Sequence, residues 1–473
     1  MKNFLTRDRV LTILMLFTAF ICMLTFALIQ PFGDGPDEIN RFKIVDFIYH
    51  YGKLPLGDDP EVLIDGYGAS YAFQPYLTFI IDGFLLRFFS FLAPSLTARV
   101  FISRLVNIGF GLAMALYVKH ISNLLFSNKK TAWAFTLAVV FLPQNLFLHS
   151  YVNTDSMGFL SIAMIIYAIL KGFKEDFSLS SILHLSIGII FCALSYYNCY
   201  GIILCAIIAF FFYHLFSANP SADAKNRRFF FRWSPFFKKG LFISSIVLIG
   251  ISWWFIRNAL LYEGDFLALT ARQLSAARTS TPEFNPFTRD TYQKLGVPIY
   301  HMIFKTDYFS LVWRSFIAMF GPMAIPTHHY IYLVFRDCFF LSVIGLLLPL
   351  KQKASALLGY TKKEKLLINF VMLLGILIPG FLAIYYSYTW EFQPQGRYYH
   401  PMLIPFMYFL AIGIEKIIGF FTKITVFPIL HIGLDNKETA SKIISFGFYV
   451  LLYSFFILSL IYSVFIAFLN YYH

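Results

Sequence analysis

The feature that most constrains this chain is the recurrence of apolar runs about 20 residues long, separated by charged or turn-forming segments. Coiled as an α-helix, such a run matches the hydrocarbon thickness of a bilayer. Within a bilayer only helices and closed barrels satisfy their own backbone groups. Eleven runs are visible, near residues 10–30, 98–118, 131–149, 156–171, 181–195, 199–217, 240–260, 329–350, 366–386, 400–420 and 443–468. Composition agrees: of 473 residues 58% are hydrophobic and only 13% charged, about half the charge of an ordinary soluble domain. With 58 Phe and 30 Tyr there is too little polar surface to wet a globule of this size. A soluble enzyme, a disordered chain and a coiled coil are excluded. The expected fold class is an all-α polytopic membrane protein with about 11 transmembrane helices.

The net charge of +13 would suggest nucleic acid in a soluble protein. In a membrane protein Lys and Arg collect in cytoplasmic loops, so the sign reports topology and no nucleic-acid partner is expected. Residues 77–93 hold Asp82 and Arg87 in mid-run, and 308–323 hold Arg314. A charge at the bilayer centre costs roughly 2.5–3.5 kcal/mol on insertion scales, so both segments suit helices lying in the interface. With eleven spans the basic groups fall on one side. They are Lys2, Arg7 and Arg9; Lys119, Lys129 and Lys130; Lys171 and Lys174; Lys225, Arg227, Arg228, Arg232, Lys238 and Lys239 against Asp223; and Lys351, Lys353, Lys362, Lys363 and Lys365 against Glu364. That side is the cytoplasm, with the N-terminus on it. The first run lacks a small-residue cleavage site and reads as an uncleaved helix. The five Cys have no metal or redox spacing and read as filler.

The opposite side receives residues 31–97, a turn at 150–155, the long segment 261–328 and a turn at 387–399. The first is acidic over 31–70, with eight carboxylates against Arg41, Lys43 and Lys53. Directly after the first run stands Gly33-Asp34-Gly35-Pro36-Asp37-Glu38-Ile39-Asn40-Arg41. Pro36 suits the first position of a helix, and Ile39, Phe42, Val45 and Ile48 would form its apolar stripe. Asp37 and Glu38 then have two readings. They either favour the helix dipole and pair with Arg41, or they place a carboxylate at the membrane boundary as a general base or cation ligand. His149-Ser150-Tyr151-Val152-Asn153-Thr154-Asp155 is a polar turn whose Asp155 opens the next run, as an N-cap or as a second acid. In Trp390-Glu391-Phe392-Gln393-Pro394-Gln395-Gly396-Arg397-Tyr398-Tyr399, Arg397 is either an interfacial anchor or a guanidinium clamp on a lipid phosphate. Arg257-Asn258 offers a second phosphate contact. The adjacent His328 and His329 would point about 100° apart on a helix and are poor co-ligands.

Taken in order, Gly35-Pro36-Asp37-Glu38, Arg104-Leu105-Val106, Val152-Asn153-Thr154-Asp155, Trp254-Phe255-Ile256-Arg257-Asn258 and Gln395-Gly396-Arg397-Tyr398 resemble the GT-C superfamily of glycosyltransferases. The likeness is to bacterial membrane proteins grouped with protein O-mannosyltransferases and aminoarabinose lipid A transferases, over roughly residues 10–420. The resemblance implies a GT-C-like fold with juxtamembrane helices in the first outer loop and a site at the outer face of a bacterial cytoplasmic membrane. It implies a sugar donor on a polyprenyl phosphate, a glycan, lipid or protein acceptor, and displacement with inversion. By position, Asp37, with Glu38 beside it, matches the catalytic first-loop acid. Asp155, with Asn153, matches the second acid near the acceptor. Arg397, with Tyr398 and Arg257, matches the phosphate-binding group. A divalent cation is an open expectation. One departure is Ser195-Tyr196-Tyr197-Asn198, where relatives often carry Lys before the sixth span.

Two rivals share the chemistry. A flippase would need a polar route through spans that mostly lack charge. A ligase or polymerase using lipid-diphosphate glycans would need a large basic outer loop, and 261–328 holds Arg272, Arg278, Arg289 and His301. A single transmembrane domain with two outer loops, 31–97 and 261–328, is the expected organisation. Single cysteines introduced at Asp58 and Asn128 are therefore expected to react with an impermeant maleimide from opposite sides of the membrane. Labelling of both from one side would overturn the eleven-span count.

Overall fold

In the computed structural model residues 7–215, 232–347, 356–430 and 437–472 are described. Lys2, Asp223, Lys225, Arg227, Arg228, Lys351 and Lys353 lie outside them. Over their described residues each of the eleven runs is mainly helical, the third being broken at Phe141–Leu142. The chain begins with α1 (Arg7–Ile29), the short α2 (Glu38–Tyr51) and α3 (Leu77–Phe88), then α4 (Leu96–Leu125) and α5 (Lys129–Val140). It continues with α6 (Pro143–Leu148), α7 (Asp155–Glu175), α8 (Leu179–Ala193), α9 (Gly201–Leu215) and α10 (Trp233–Leu261). A segment with α11 (Leu269–Thr279), α12 (Ile299–Phe304), α13 (Tyr308–Ile317) and a two-stranded hairpin (β1, Met319–Phe320; β2, Ile325–Pro326) precedes α14 (His329–Leu347). The last helices are α15 (Lys362–Thr389), α16 (Leu403–Leu430) and α17 (Lys437–Leu460), which runs into a π-helical turn at Ile461–Phe468.

Among the described residues nine helices are long and apolar enough to cross a membrane. The other two expected spans are shorter. Pro143 lacks the amide that would continue α5 and starts α6 instead, and α8 has 15 residues. α7 is the central helix, apolar around nearly its whole circumference and packed by α4, α8 and α9. Elsewhere small residues set the approach: a Cβ on Gly413 would lie 2.1 Å from the Ser342 carbonyl oxygen, so α14 and α16 touch backbone to backbone.

The two ends of the bundle differ in charge. At one end Lys119 pairs with Asp8 at 3.2 Å and lies over Trp133, while Arg232 and Lys239 hold Asp176. At the other end the segment between α1 and α4 folds into α2 and α3. Phe42, Val45 and Ile48 are buried against Phe79 and Leu86, leaving Ile39 exposed. With 12 residues, α3 is about 18 Å long, short of a bilayer. Its two charges are absorbed locally. Arg87 donates to the carbonyls of Tyr49 and His50 at the C-terminus of α2, where the helix dipole favours a cation. Asp82 is fully buried without a hydrogen-bond partner, and burial pushes its carboxyl well up, toward the neutral acid.

One buried ion pair sets the entry to this segment. Arg104 of α4 forks onto Glu38, Nε to Oε1 at 2.8 Å and Nη2 to Oε2 at 2.7 Å. Its Nη1 donates to the carbonyls of Ala27 and Gln30, closing the end of α1. Glu38 also accepts from the amides of Gly33 and Val152. Both side chains are buried, so removing one partner strands a desolvated charge. Glu38→Gln is expected to cost about 3–5 kcal/mol, read as a lowered unfolding temperature in detergent. Asp46→Asn, which breaks the part-exposed pair with Arg99, should cost about 1 kcal/mol or less.

Candidate active site

Asp37 stands one residue before α2, at its N-cap, with φ 63° in the left-handed region. Helix formation thus begins at Glu38, two residues later than Pro36 would suggest, and the Asp37 side chain makes no cap hydrogen bond. A left-handed aspartate is tolerated at a small cost where its surroundings hold it. Here Arg397 Nη2 donates to Asp37 Oδ2 at 2.8 Å, and Arg41 Nη2 lies 3.6 Å from the same oxygen. The Asp37 side chain keeps 30% of its surface open and lines a cavity. Burial there pushes its carboxyl up. The guanidinium groups of Arg397 and Arg41, with help from the Tyr71 hydroxyl, outweigh this and hold it down at about 2.

Arg397 reaches this position because Gly396 precedes it. A Cβ on Gly396 would fall 2.1 Å from the amide nitrogen of Phe316, and the Gly396 amide donates to Ser315 Oγ at 2.7 Å. The turn before α16 therefore docks directly on α13. Nη2 of Arg397 also donates to the Tyr398 hydroxyl at 3.1 Å, and the guanidinium lies over that ring. Its Nε and Nη1 are buried and have no protein partner. Arg41 is the second hub: Nη1 donates to Asp155 Oδ2 at 3.0 Å, and its guanidinium lies over the Tyr71 ring. Asp155 is fully buried as the first residue of α7, whose N-cap is Thr154. Residues 37 and 41 at the start of α2, 155 at the start of α7 and 397 in the turn before α16 thus form one chain of alternating charge.

This cluster opens onto a cavity of about 920 Å³. Its walls come from α2, from Tyr67, Tyr71 and Gln74, from the turn Tyr196-Tyr197-Asn198, from α11, and from the C-terminal part of α15 with Trp390, Glu391 and Gln393. Tyr196, Tyr197 and Asn198, from the departure noted at residues 195–198, therefore line the cavity with aromatic and amide groups. Four guanidinium groups, Arg41, Arg272, Arg289 and Arg397, line it against two carboxylates, Asp37 and Glu391. Arg41, Tyr71 and Trp390 were not singled out as site residues from the sequence, and Arg272 and Arg289 entered only as basic groups of the ligase reading. The i, i+4 spacing of Asp37 and Arg41 is visible there, but the contact of Arg41 with Asp155 spans 114 residues.

Other expected residues are placed elsewhere. Glu38 is braced by Arg104 behind the cavity wall, with both oxygens engaged. Asn153 shapes the turn before α7, donating to the carbonyls of Leu148 and Tyr151 and accepting from Ser156. Arg257 donates to the Pro55 carbonyl at 2.7 Å and lies over Trp254, so it ties α10 to the first loop and does not line the cavity. Tyr398 does line it. For a divalent cation the residues present do not fit. Among the described residues no three His, Cys, Asp or Glu side chains come together as ligands, and Arg41 already stands between the two acids.

No family model matches the sequence, and no curated protein matches it. The chain is similar to solved structures of an archaeal oligosaccharyltransferase, AglB from Archaeoglobus fulgidus. A complex with an inhibitory peptide and a dolichol-phosphate has 13% identity and a TM-score of 0.49, covering 96% of this chain and 56% of that one. The apo form has 14% identity and a TM-score of 0.49, with the same coverage. A complex with Zn and sulfate has 12% identity and a TM-score of 0.45, covering 95% and 53%. The chain spans about half the length of the proteins it matches.

The electrostatics give a pH signature. Asp37 is held at about 2, below its unfolded value, so it stays ionised as pH falls until well under the ordinary carboxylate range. In Arg397→Gln the largest favourable charge is gone, burial dominates, and the Asp37 carboxyl should rise. Any activity that needs the carboxylate is expected to be flat from about pH 7 down to about pH 5 in the wild type and to acquire an acid limb in Arg397→Gln. Superimposable pH profiles, normalised to their maxima, would contradict this coupling.

Proposed function

We propose that the chain is an inverting GT-C-type glycosyltransferase. In this reading it moves a sugar from a polyprenyl-phosphate donor to a cell-envelope glycan, lipid or protein acceptor, at the outer face of a bacterial cytoplasmic membrane. The observation that carries the reading is Asp37, ion-paired to Arg397 at the wall of a polar cavity, with Arg397 retaining two donors that nothing in the protein uses. The cavity lies at the end of the bundle opposite the Lys119, Arg232 and Lys239 cluster, which the positive-inside tendency places in the cytoplasm. The order of sequence motifs shared with GT-C transferases supports the same reading.

The chemistry needs few groups. The acceptor hydroxyl oxygen attacks the anomeric carbon on the face opposite the phosphate. The bond from that carbon to the phosphate oxygen breaks, its electron pair stays on the leaving lipid phosphate, and the hydroxyl proton passes to a carboxylate oxygen of Asp37. Arg397 meets the charge that grows on the phosphate, and such preorganised donors act most strongly where charge develops. Its two tasks are linked. A phosphate on Nε or Nη1 draws the guanidinium's charge away from Asp37 and makes the carboxylate a better base. Arg41 holds Asp37 against Asp155, so the base keeps its position while its partner is shared. A lipid-diphosphate donor is the second reading, favoured by Arg272 and Arg289 in the same cavity.

Asp37→Asn is expected to lower transfer about 10²–10⁴-fold while leaving binding of a short-chain polyprenyl-phosphate sugar intact. Arg397→Lys keeps the charge but loses the planar donor set. It should lose in kcat as well as KM, because the interaction strengthens as the glycosidic bond breaks. Steady-state transfer by purified protein reads both. Near-wild-type turnover in Asp37→Asn would remove it as the base, and unchanged kinetics in Arg397→Ala would leave that residue a structural anchor.

A further inference from the structure

The cavity has a second charged wall that the transfer step above does not use. Arg289 is 7% exposed and lines the cavity. Its guanidinium lies 4.4 Å over the Trp390 ring, and Nη1 is 3.7 Å from Glu391 Oε2, too long for a hydrogen bond. The other Glu391 oxygen already accepts from Gln393 Nε2 at 2.7 Å and from the Tyr67 hydroxyl at 3.2 Å. Nη2 of Arg289 is buried with no partner. Arg272, on α11, lines the same cavity and forms no ion pair among the described residues. Counting Asp155 behind Arg41, four guanidinium groups face three carboxylates at this cavity, and the unmet charge is at the Arg272–Arg289 wall. A buried donor without a partner costs free energy unless a ligand supplies the acceptor.

The rest of that wall is suited to sugar. Trp390 and the Tyr67–Phe284 pair, stacked at 4.0 Å between ring centroids, offer flat apolar faces. Gln273 and Gln293 add amides that both donate and accept, as hydroxyl groups require. The wall is wired to the first cluster through Glu391, Gln393 and Tyr398, which connects to Arg397. A bare phosphate would need only the guanidinium groups, whereas rings and amides beside them fit a carbohydrate that carries its own negative charge. From this, resting on the glycosyltransferase reading, we infer that the Arg272–Arg289 wall binds the acceptor and that the acceptor is an acidic glycan, its carboxylate or phosphate held by these two arginines.

The test is calorimetric binding to the full chain in lipid nanodiscs, using trigalacturonate, its neutral methyl ester, a short-chain polyprenyl phosphate and the corresponding diphosphate. Trigalacturonate should bind more tightly than its ester. Arg289→Gln and Arg272→Gln should each weaken trigalacturonate by about tenfold or more, the loss of a charge-assisted hydrogen bond, and leave the ester and the polyprenyl phosphate unchanged. Arg272 is half-buried and has no ion pair among the described residues, so its variant keeps the test decisive should Arg289→Gln fold poorly. Equal binding of acid and ester, or losses confined to the diphosphate, would overturn the inference; the latter would assign the wall to a diphosphate donor. Arg397→Gln serves as the separate arm: unchanged binding of polyprenyl phosphate in that variant would sink the donor reading without touching the result for the acidic glycan.

Discussion

The fork between Arg104 and Glu38 is the contact on which the cavity end of this protein depends. One guanidinium closes the C-terminus of α1 through the carbonyls of Ala27 and Gln30, and one carboxylate gathers the amides of Gly33 and Val152. Four chain segments meet there: the end of α1, the start of α2, the N-terminal third of α4 and the turn before α7. The Arg104 and Glu38 side chains are both buried, so the pair cannot be exchanged for water without stranding charge. The stretch from Gly33 to Glu38 is thereby fixed at both ends, and Asp37, next to the anchored Glu38, is carried into the left-handed region and turned to the cavity.

From that anchor the charges alternate outward: Asp155, Arg41, Asp37, Arg397. Each neutralises its neighbour, and at Asp37 the guanidinium charges outweigh the burial that would otherwise drive its carboxyl toward the neutral acid. Asp82 shows the contrast: fully buried without a hydrogen-bond partner, its carboxyl rises. The series does not close at its outer end. Arg397 has unused donors, and beyond it Arg289, loosely paired with Glu391, and Arg272, without an ion pair among the described residues, leave positive charge in excess. The electrostatics thus run from a compensated interior to an uncompensated cavity wall, a polarity suited to anionic ligands. A cation fits poorly at the acids, because Arg41 already fills the space between them.

The sequence alone determined the class of fold and the neighbourhood of the site. Apolar runs of spanning length leave a chain no option but helices in a bilayer, and the local turn chemistry at Gly33–Pro36, Asn153–Asp155 and Gln395–Gly396 marks where helices break. Charges inside 77–93 were enough to deny that segment a crossing. Asp37, Asp155, Arg397 and Tyr398, which the fold brings together, could be named as candidates because they stand in such breaks, next to a membrane helix end.

Only the tertiary structure decided which polar residue meets which partner. Glu38 and Asp37 are adjacent and chemically alike, yet one is locked under Arg104 and the other faces the cavity. Nothing in the sequence distinguishes them, because the partner lies 66 residues away. Arg257 sits at a helix mouth as Arg397 does, but the Pro55 carbonyl takes it out of the cavity. Arg41 was legible only as a partner of Asp37, and Arg289 only as one basic group of the long outer segment, because their other contacts, Asp155 and Trp390 with Glu391, lie far along the chain. Helix formation is a local property of runs and breaks. The charge state and role of a buried side chain are set by whatever packs against it, and packing brings together residues that the sequence holds apart.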